Sequence, residues 1–365
     1  MSMEVTRRST LRSLALWMAA SPLLRGQDNP PTLIGEPPGR ITPMDELVNV
    51  LEAELMAERL LPDPVYAKIA GSDRAPFGRM TLQPSMMIDV RDLDLSQDLF
   101  GTKMFAPILA GPASRQERFH TGGEMEWVRG VSAAQAVAVV SGRSGQPIDK
   151  ITAEAKEALW YQVYPEPDMA PVLARVRQAV QAGCRAVCLT VGTPYRPTGS
   201  EGVPNPAELA RLGNPGMSWS VVDQVRQAAN VPVLLKGIMS PEEASAAVER
   251  GVEGIVVSNH GGRFVEGLLS PIEALPAVAD AVSGKIPVLV DGSFRRGTDI
   301  VIALALGARA VLVTRPPLWG LAAYGADGVQ RVMEMLQDET SRTMALCGRV
   351  NLAAIDRRVV RIHSR

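Results

Sequence analysis

Short apolar runs recur along the chain from about residue 106 onward, and the segments between them have helical character. The runs are almost continuously apolar, which predicts strands that are buried on both faces and pair in parallel. One intervening helix is predicted to open at Pro241, and another to cover Thr298–Leu306 with Gly307 closing it. The eight runs are Ala106–Ala110, Val137–Val140, Leu159–Val163, Ala186–Leu189, Val233–Leu235, Gly254–Val257, Val288–Val290 and Ala310–Val313.

Eight strand–helix units in succession favour a TIM (β/α)8 barrel, an α/β fold whose chemistry lies at the C-terminal ends of the strands. A doubly wound open sheet is the second candidate. It would need a glycine-rich fingerprint after its first strand, and Gly111-Pro112-Ala113-Ser114 does not provide one. The barrel is therefore the predicted fold.

Polar residues stand at or just after the ends of most of these runs, and in a barrel they would converge on one mouth. The loops after strands 7 and 8 are the common phosphate site of this fold, and here they contain Asp291–Arg296 and Thr314–Pro316. Glycine allows close backbone approach, and arginine offers forked donors to phosphate oxygens, so these loops predict a ligand that carries a phosphate. The polar residues are Ser141, Gln162, Tyr164, Thr190, Lys236, Ser258, His260, Asp291, Thr314 and Arg315.

The composition limits the functions that are open to the chain. Hydrophobic residues make up 46% and charged residues 21% of the 365 residues, which excludes a disordered protein. Lys+Arg at 38 against Asp+Glu at 39 gives a net charge of -1, so no charge excess draws the whole protein to nucleic acid or an anionic membrane. The three cysteines cannot form a disulfide framework, and Cys184 and Cys188 lack the paired spacing of a zinc site. They are predicted to be core residues, and no metal is expected.

The N-terminus resembles an export signal. Arg7 and Arg8 precede the short apolar stretch Leu14–Ala20, a pattern that indicates a twin-arginine signal over residues 1–26. The stretch is shorter than the about 20 apolar residues of a membrane-spanning helix, so no span is expected in the mature chain. The alternative is an amphipathic N-terminal helix on a cytoplasmic protein. With the signal, the protein is exported, to the periplasm. A Pro- and Gly-rich linker over 27–45 then leads into a barrel domain over 46–365.

Three motifs near the C-terminus, taken together, are highly specific. They run over Val257–Arg263, Val290–Asp299 and Ala303–Ala308. In this order they resemble the FMN-dependent 2-hydroxy-acid oxidase and dehydrogenase family, which includes glycolate oxidase, lactate oxidase and mandelate dehydrogenase. The resemblance extends from about residue 46 to the end and is strongest from Val233 onward. It implies FMN as the cofactor and oxidation of a small 2-hydroxy acid to the 2-oxo acid, by hydride transfer to flavin N5.

The resemblance also implies a residue for each part of the cofactor. It places Lys236 beside flavin N1 and O2, where a fixed cation stabilises negative charge on the reduced ring. Asp291 matches a contact to the ribityl chain. The phosphate ligands are Arg295, Thr314 and Arg315, although the family usually has glycine where Thr314 stands. The remaining cofactor-binding residues are Ser141, Gln162, Thr190 and Ser258 around the ring, Ala113 and Ser114 along its other edge, and Gly292 and Ser293 in the phosphate loop.

By the same resemblance His260 is the catalytic base, because removing an alcohol proton favours a group with a pKa of about 7. Arg263 anchors the substrate carboxylate with two parallel hydrogen bonds, and Tyr164 binds the substrate. His120, after strand 1, is expected to be structural, and His363 is expected to be exposed in the C-terminal tail.

Four positions depart from the family pattern. Lys68 stands where the family has a substrate-binding tyrosine, unless a slip places Tyr66 there, and Arg143 stands where many members have an aromatic residue. Gly192 replaces the aspartate that pairs with the catalytic histidine, which implies a large rate penalty that Gly192→Asp would relieve if only this orienting group were lost. A second carboxylate-binding arginine is missing near Gly199, where only Arg196 lies nearby and out of register.

Two interpretations follow from these departures. In the favoured one, Lys68 and Arg143 act as substrate-binding replacements for the lost groups, beneath a lid formed by Gly192–Trp219. In the other, the FMN site is retained while the pocket serves another substrate or slow chemistry. A flavin-binding scaffold or sensor without turnover is a hypothesis of a second class. A flavin-free lyase with Lys236 as a Schiff-base residue is a third class, disfavoured because such enzymes need no histidine–arginine pair. The electron acceptor (oxygen, a quinone or a cytochrome) is left open, and a homo-oligomer is expected from the resemblance.

Overall fold

The computed structural model describes residues 40–71, 73–192, 217–261 and 269–363. A compact unit spans Thr42–Arg365, and the predicted export signal, with most of the predicted linker, lies outside the described residues. The strands, in chain order β1 to β12, are Met80–Leu82, Gln97–Leu99, Thr102–Met104, Ile108–Ala110, Val137–Ser141, Leu159–Val163, Ala186–Thr190, Val233–Ile238, Gly254–Val257, Val288–Asp291, Ala310–Val313 and Val360–Ile362.

Strands β4 to β11 form a closed parallel barrel. They pair in sequence order, and β11 closes the ring by pairing with β4 through Val311↔Ile108 and Leu312↔Leu109. Each of the eight apolar runs overlaps one of these strands, so the predicted TIM barrel is confirmed. Closure leaves no free edge in this sheet, which excludes the doubly wound alternative.

Three barrel strands have the predicted boundaries, and each of the others differs at one end by one to three residues. The first barrel strand begins at Ile108 instead of Ala106, because Pro107 has no amide hydrogen to donate to a neighbouring strand. Ser141, Thr190 and Asp291 were expected to follow their strands, and each is instead the last residue of one. The register of β8 against β9 is irregular between Lys236 and Ile238.

Helices follow the barrel strands and cover the outside of the barrel. The predicted helix at Pro241 is confirmed, with Ser240 capping its N-terminus through a 3.2 Å bond from Glu243 N, and the helix that ends before Gly307 is also confirmed. The last helix breaks at Gly325, whose φ of 63° and ψ of −145° are not helical. The helices are Val50–Leu60, Asp63–Tyr66, Gly123–Ala133, Ile148–Glu154, Met169–Gln181, Trp219–Ala229, Pro241–Glu249, Pro271–Val282, Gly297–Ala305 and Arg315–Leu346, with 3-10 turns at Met44–Glu46, Phe77–Arg79, Gln116–Arg118, Leu352–Ala354 and Arg357–Val359.

The amino-terminal end of the barrel is closed by the hairpin of β2 and β3. Leu99 and Met104 of this hairpin belong to the same apolar cluster as Trp160 inside the barrel. Phe100 at its tip lies against Gly254, the first residue of β9, which places the hairpin at the start of the strands. Because this end is filled with apolar side chains, the polar chemistry is left to the opposite end.

The cysteines and the remaining histidines behave as the sequence predicts. Cys184, Cys188 and Cys347 are free and buried. His120 pairs with Glu126 through Nδ1 at 3.0 Å, and the exposed His363 contacts Thr81 Oγ1 at 2.8 Å. Among the described residues, no helix combines the length and the apolar character needed to cross a membrane.

Candidate functional site: the carboxyl-terminal mouth of the barrel

A row of buried polar side chains crosses the ends of β5, β6 and β7. Ser141 Oγ donates to Gln162 Oε1 at 3.2 Å, and Gln162 Nε2 donates to Thr190 Oγ1 at 2.7 Å. The three side chains are at most 3% exposed, although they stand in an apolar barrel. Burying polar groups is costly unless they are satisfied, so such a row is typical of a binding surface. The sequence-based expectation that these strand ends converge is confirmed.

Lys236 continues the row on β8 and carries a buried positive charge. It is 4% exposed, and its Nζ lies 2.9 Å from Ser258 Oγ and 2.6 Å from Asp291 Oδ2. Asp291 Oδ1 is buried and, within the described part of the chain, has no hydrogen-bond partner. A buried ion pair with an unsatisfied carboxylate oxygen costs free energy of desolvation. That cost falls when a ligand hydroxyl donates a hydrogen bond to the oxygen.

His260 lies directly beyond Ser258, at the end of β9. Its backbone N donates to Ser258 Oγ at 3.1 Å, and its φ of 53° is left-handed, a strained conformation for histidine that is typical of functional sites. The ring Nε2 lies 3.4 Å from the Tyr164 hydroxyl, and the two rings meet edge to face with centroids 5.8 Å apart. His260 Nδ1 is buried and has no partner among the described residues.

The environment of His260 keeps its imidazole neutral. Burial, together with the charges of Lys236 and Arg143, lowers its pKa to about 4, while Asp291 opposes the shift. This pKa lies below the value of about 7 that proton removal at neutral pH favours in a base. A neutral imidazole is the form that can accept a proton, so this site holds a base ready for use at neutral pH.

Gly192 leaves His260 without the carboxylate that the resemblance would place beside it. Gly192 N donates to Lys236 O at 3.3 Å, which sets the Gly192 backbone against the end of β8. In the family pattern an aspartate here would hold the Nδ1 hydrogen and stabilise the imidazolium. Within the described ranges of the chain, no other group takes that place at Nδ1.

Two further residues predicted to bind the substrate, Arg143 and Lys68, lie in the described part of the chain. Arg143 is exposed, its backbone N donates to Ser141 Oγ at 3.2 Å, and its Cζ lies 4.2 Å from the centroid of the Tyr164 ring. Lys68 is half-buried in the segment that leads from the helix Asp63–Tyr66 to Gly71. Arg263 and most of the predicted lid lie outside the described residues.

Two arginines from different loops converge on one backbone oxygen at the far side of the mouth. Arg295 Nη2 donates to Gly71 O at 3.2 Å, and Arg315 Nη1 donates to the same oxygen at 2.5 Å. Arg315 also donates to Gly261 O at 3.1 Å. Paired guanidinium groups that share one oxygen acceptor are the donor set that phosphate binding requires.

Arg295 is the more deeply buried of the two. It is 2% exposed, its Cζ lies 4.4 Å from the centroid of the Trp319 ring, and its Nε is buried without a partner in the described chain. Burial lowers its pKa to about 9, which still leaves the guanidinium charged at neutral pH. A nearby anion would compensate the cost of this buried charge.

Arg74 and Asp299, which sequence reasoning did not select as site residues, hold the phosphate loop in place. Gly292 and Ser293 have positive φ values of 107° and 63°, so the chain turns sharply after β10. Asp299 Oδ2 accepts from Arg295 N at 2.8 Å, and Arg74 joins Asp299 to Ser293 O. A Cβ built on Gly111 would collide with Thr314 Oγ1, so the threonine hydroxyl packs against that glycine.

Glu54 is a further residue of the site that sequence reasoning missed. It lies on the helix Val50–Leu60, and its Oε1 accepts from Gly71 N at 2.9 Å. Burial raises the pKa of this carboxyl, while the charges of Arg295 and Arg315 lower it, so Glu54 lies within electrostatic range of both phosphate arginines. No local pattern distinguishes Glu54 from the other acidic residues of its amphipathic helix.

Ala113 and Ser114 lie in the loop after β4, as predicted. Ala113 O accepts from Gln116 Nε2 at 3.3 Å, and Ser114 is exposed. Glu124, which is 1% exposed, ties this loop to the next one because its Oε1 accepts from both Gln116 N and Gly145 N at 3.2 Å. The loops at this edge of the mouth are therefore connected through one carboxylate.

These groups fit FMN. The buried amide and hydroxyl row with Lys236 suits the polar edge of an isoalloxazine ring, and the unsatisfied Asp291 Oδ1 suits a ribityl hydroxyl. The unsatisfied Arg295 Nε and the neighbouring Arg315 suit the phosphate. A TIM barrel with this mouth belongs to the class of flavin-dependent oxidoreductases.

The comparisons with known proteins give the family. The sequence model described as FMN-dependent dehydrogenase matches residues 68–210 and 199–362, so the chain belongs to that family and FMN is its cofactor. A peroxisomal (S)-2-hydroxy-acid oxidase of Oryza sativa subsp. japonica is 35% identical over 346 residues, covering 85% of this chain and 94% of that protein. The 2-hydroxyacid oxidase 1 of Homo sapiens is 32% identical over 360 residues, covering 87% and 97%. A crystal structure of mandelate oxidase matches at a TM-score of 0.80 and 34% identity, covering 87% of this chain and all of that one (100%).

Proposed function

We propose that the protein oxidises a small 2-hydroxy acid to the corresponding 2-oxo acid, with His260 as the base. The observation that carries this proposal is a neutral, half-buried imidazole whose Nε2 lies 3.4 Å from the Tyr164 hydroxyl, beside the buried cation Lys236. The names of the relatives, which are oxidases of 2-hydroxy acids and of mandelate, support the same reaction.

The residues of this chain divide the reaction between them. His260 Nε2 accepts the hydroxyl proton of the substrate, and the Tyr164 hydroxyl holds the substrate oxygen next to that nitrogen. FMN, when bound, supplies the acceptor for the α-hydrogen and its two bonding electrons. Lys236 provides fixed positive charge at the end of β8, where it stabilises the negative charge that accompanies the transfer.

The substrate carboxylate needs cationic partners. Arg263 follows His260 in the motif and is proposed as the main anchor, since a guanidinium can hold a carboxylate through two parallel bonds. Lys68 is proposed as a further ligand, in place of the tyrosine that the family has there. Arg143, in the loop after β5, is proposed as a further substrate-binding residue for a part of the substrate away from the reacting carbon.

The first experiment is an anaerobic titration of the purified yellow protein with glycolate, lactate, mandelate and longer 2-hydroxy acids, followed by flavin absorbance. Bleaching by any of them supports the proposal and ranks the chain lengths. A flavoprotein that none of them reduces would contradict it and favour binding without turnover. Reoxidation of the reduced protein by oxygen, a quinone analogue or a cytochrome then identifies the electron acceptor.

We further propose that the protein is exported to the periplasm through its twin-arginine signal, and that it assembles as a homo-oligomer. The pair Arg7-Arg8 before a short apolar stretch supports export. Replacing both arginines by lysine should retain the protein in the cytoplasm, as measured by cell fractionation, and an unchanged distribution would contradict export. Sedimentation velocity of the holoprotein tests the oligomer, and a single monomer peak would contradict it.

A further inference from the structure

Arg143 places a positive charge beside the catalytic pair. Its Cζ lies 4.2 Å from the centroid of the Tyr164 ring, and the hydroxyl of the same tyrosine lies 3.4 Å from His260 Nε2. A cation–π contact of this kind holds a guanidinium over an aromatic face and leaves its N–H donors available for an anion. Tyr164 therefore has the catalytic histidine at its hydroxyl and the Arg143 guanidinium over the face of its ring.

The charge of Arg143 is not neutralised by the protein in the part of the chain that the structure describes. Lys236 has Asp291 at 2.6 Å, whereas no carboxylate forms an ion pair with Arg143. Two acidic residues of the flanking loops pair with other arginines, since Glu117 pairs with Arg115 at 3.3 Å and Glu166 with Arg175 at 2.8 Å. An unpaired guanidinium next to a reaction site attracts an anionic group of the ligand.

The position of Arg143 suits the far end of a substrate better than its reacting end. The reacting hydroxyl must lie at hydrogen-bond distance from His260 Nε2, which faces the hydroxyl edge of Tyr164. Arg143 lies over the ring face and is exposed toward solvent. A substrate bound at His260 can therefore extend across the tyrosine and bring a distal group to the guanidinium.

We propose that the preferred substrate is a 2-hydroxydicarboxylic acid, and that Arg143 binds its second, distal carboxylate. This inference rests on the proposed oxidation of 2-hydroxy acids and names the substrate class for that site. An aromatic residue at this position would favour an apolar substrate side chain, whereas the guanidinium favours a charged one.

The test compares acids of equal length that differ only in the distal group. Malate is compared with 2-hydroxybutyrate, and 2-hydroxyglutarate with 2-hydroxyvalerate, as single enantiomers in stopped-flow reduction of the holoprotein. We expect the diacids to have the higher kcat/KM by about tenfold or more, the range of one hydrogen bond to a charged group. The preference should shrink at high ionic strength because Arg143 is exposed.

Variants separate a specific contact from a general effect. Arg143→Met keeps much of the length and removes the charge, so we expect the ratio of diacid to monoacid kcat/KM to fall to about one. Arg143→Lys should retain part of the preference. Arg177→Met, an exposed arginine on the outer helix Met169–Gln181, is the matched control and should change neither series.

The outcomes distinguish this inference from the proposed function. Monoacids that react as fast as diacids, or an Arg143→Met variant that slows both series equally, would overturn the inference while leaving 2-hydroxy-acid oxidation intact. If no acid reduces the flavin, the Kd values of 2-oxoglutarate and 2-oxovalerate are measured from the flavin absorbance change. A diacid preference that Arg143→Met abolishes would then support the inference without the proposed function, and equal Kd values would overturn it.

Discussion

Gly192 and Gly237 approach so closely that neither position has room for a side chain. A Cβ built on Gly192 would lie 2.5 Å from Gly237 Cα and 2.8 Å from its carbonyl carbon. Gly237 has a φ of 116°, which only glycine adopts readily, and it stands at the register irregularity of β8. The loss of the carboxylate partner of His260 is therefore built into the backbone at the end of this strand.

This contact reverses the expectation for Gly192→Asp. We expect the substitution to displace the end of β8, with Lys236, and to lower the free energy of unfolding by about 1–3 kcal/mol without faster flavin reduction. Gly192→Ala is the matched control, because it introduces the same Cβ without the charge. Thermal unfolding and anaerobic reduction of both variants test the prediction, and an Asp variant that reacts faster than the Ala variant and the wild type would contradict it.

Replacing His260 tests the base directly. His260→Ala should slow flavin reduction by about 10²–10⁴-fold while the protein keeps its FMN, because the imidazole contacts the substrate proton and not the phosphate arginines. His120→Ala is the control, since His120 pairs with Glu126 outside the row at the mouth. Loss of FMN from the His260→Ala variant, or flavin reduction as fast as in wild type, would contradict the assignment of His260 as the base.

The low pKa of His260 predicts how stability depends on pH. Its folded-state pKa of about 4 lies below the value of about 6.5 in an unfolded chain, so the unfolded state binds more protons between these values. Stability should therefore be fully present above pH 6.5 and decline as the pH falls toward 4, by at most about 3 kcal/mol from this residue. Urea unfolding across this range should show a larger decline for wild type than for His260→Gln, because the variant lacks the contribution of this imidazole.

The same pKa predicts the acid limb of the kinetic profile. A base that is already neutral should give a kcat/KM that is flat from about pH 6 to 8 and falls only near pH 4. Arg143 and Lys236 both disfavour the imidazolium, so the limb should move to higher pH in Arg143→Met. An acid limb at about pH 7 in wild type, unchanged in the variant, would contradict this electrostatic account.

Lys236 and Asp291 form a buried pair whose members depend on each other. Lys236→Met should destabilise the protein by about 3–5 kcal/mol, because it leaves the Asp291 carboxylate without its countercharge. Adding Asp291→Asn should recover part of that loss. Denaturant unfolding of the single and double variants measures the recovery, and equal stabilities of the two would show that the ion pair is not the cause.

The negative charge of Glu54 offsets part of the positive charge of Arg295 and Arg315. Removing that negative charge should therefore tighten the binding of the FMN phosphate. Glu54→Gln keeps an acceptor for Gly71 N and removes a negative charge near Arg295 and Arg315. We expect the FMN Kd at pH 8 to fall by about two- to tenfold, measured by fluorescence titration of the apoprotein. Glu58→Gln, an exposed residue of the same helix, is the control and should change the Kd less.

The eight strands and their order could be predicted because each depends on a local pattern. A continuously apolar run between polar turns indicates a buried parallel strand wherever it occurs, and eight of them in succession close most readily into a barrel. The polar ends of those strands and the His260 motif were equally visible, since they are defined by residues that are neighbours in sequence. The fold and the position of the mouth were thus available from local patterns, whereas FMN as the cofactor followed from the family resemblance of the motifs.

Only the tertiary structure decided how these groups act on one another. Gly71 O meets Arg295 and Arg315 across sequence separations of 224 and 244 residues, and no local pattern records such a meeting. The low pKa of His260 arises from burial and from charges on other elements of the barrel. Gly237 on the next strand fills the space that a side chain at Gly192 would need. Periodicity reports which face of an element is buried, whereas distances and fields in the mouth depend on how distant elements close against each other.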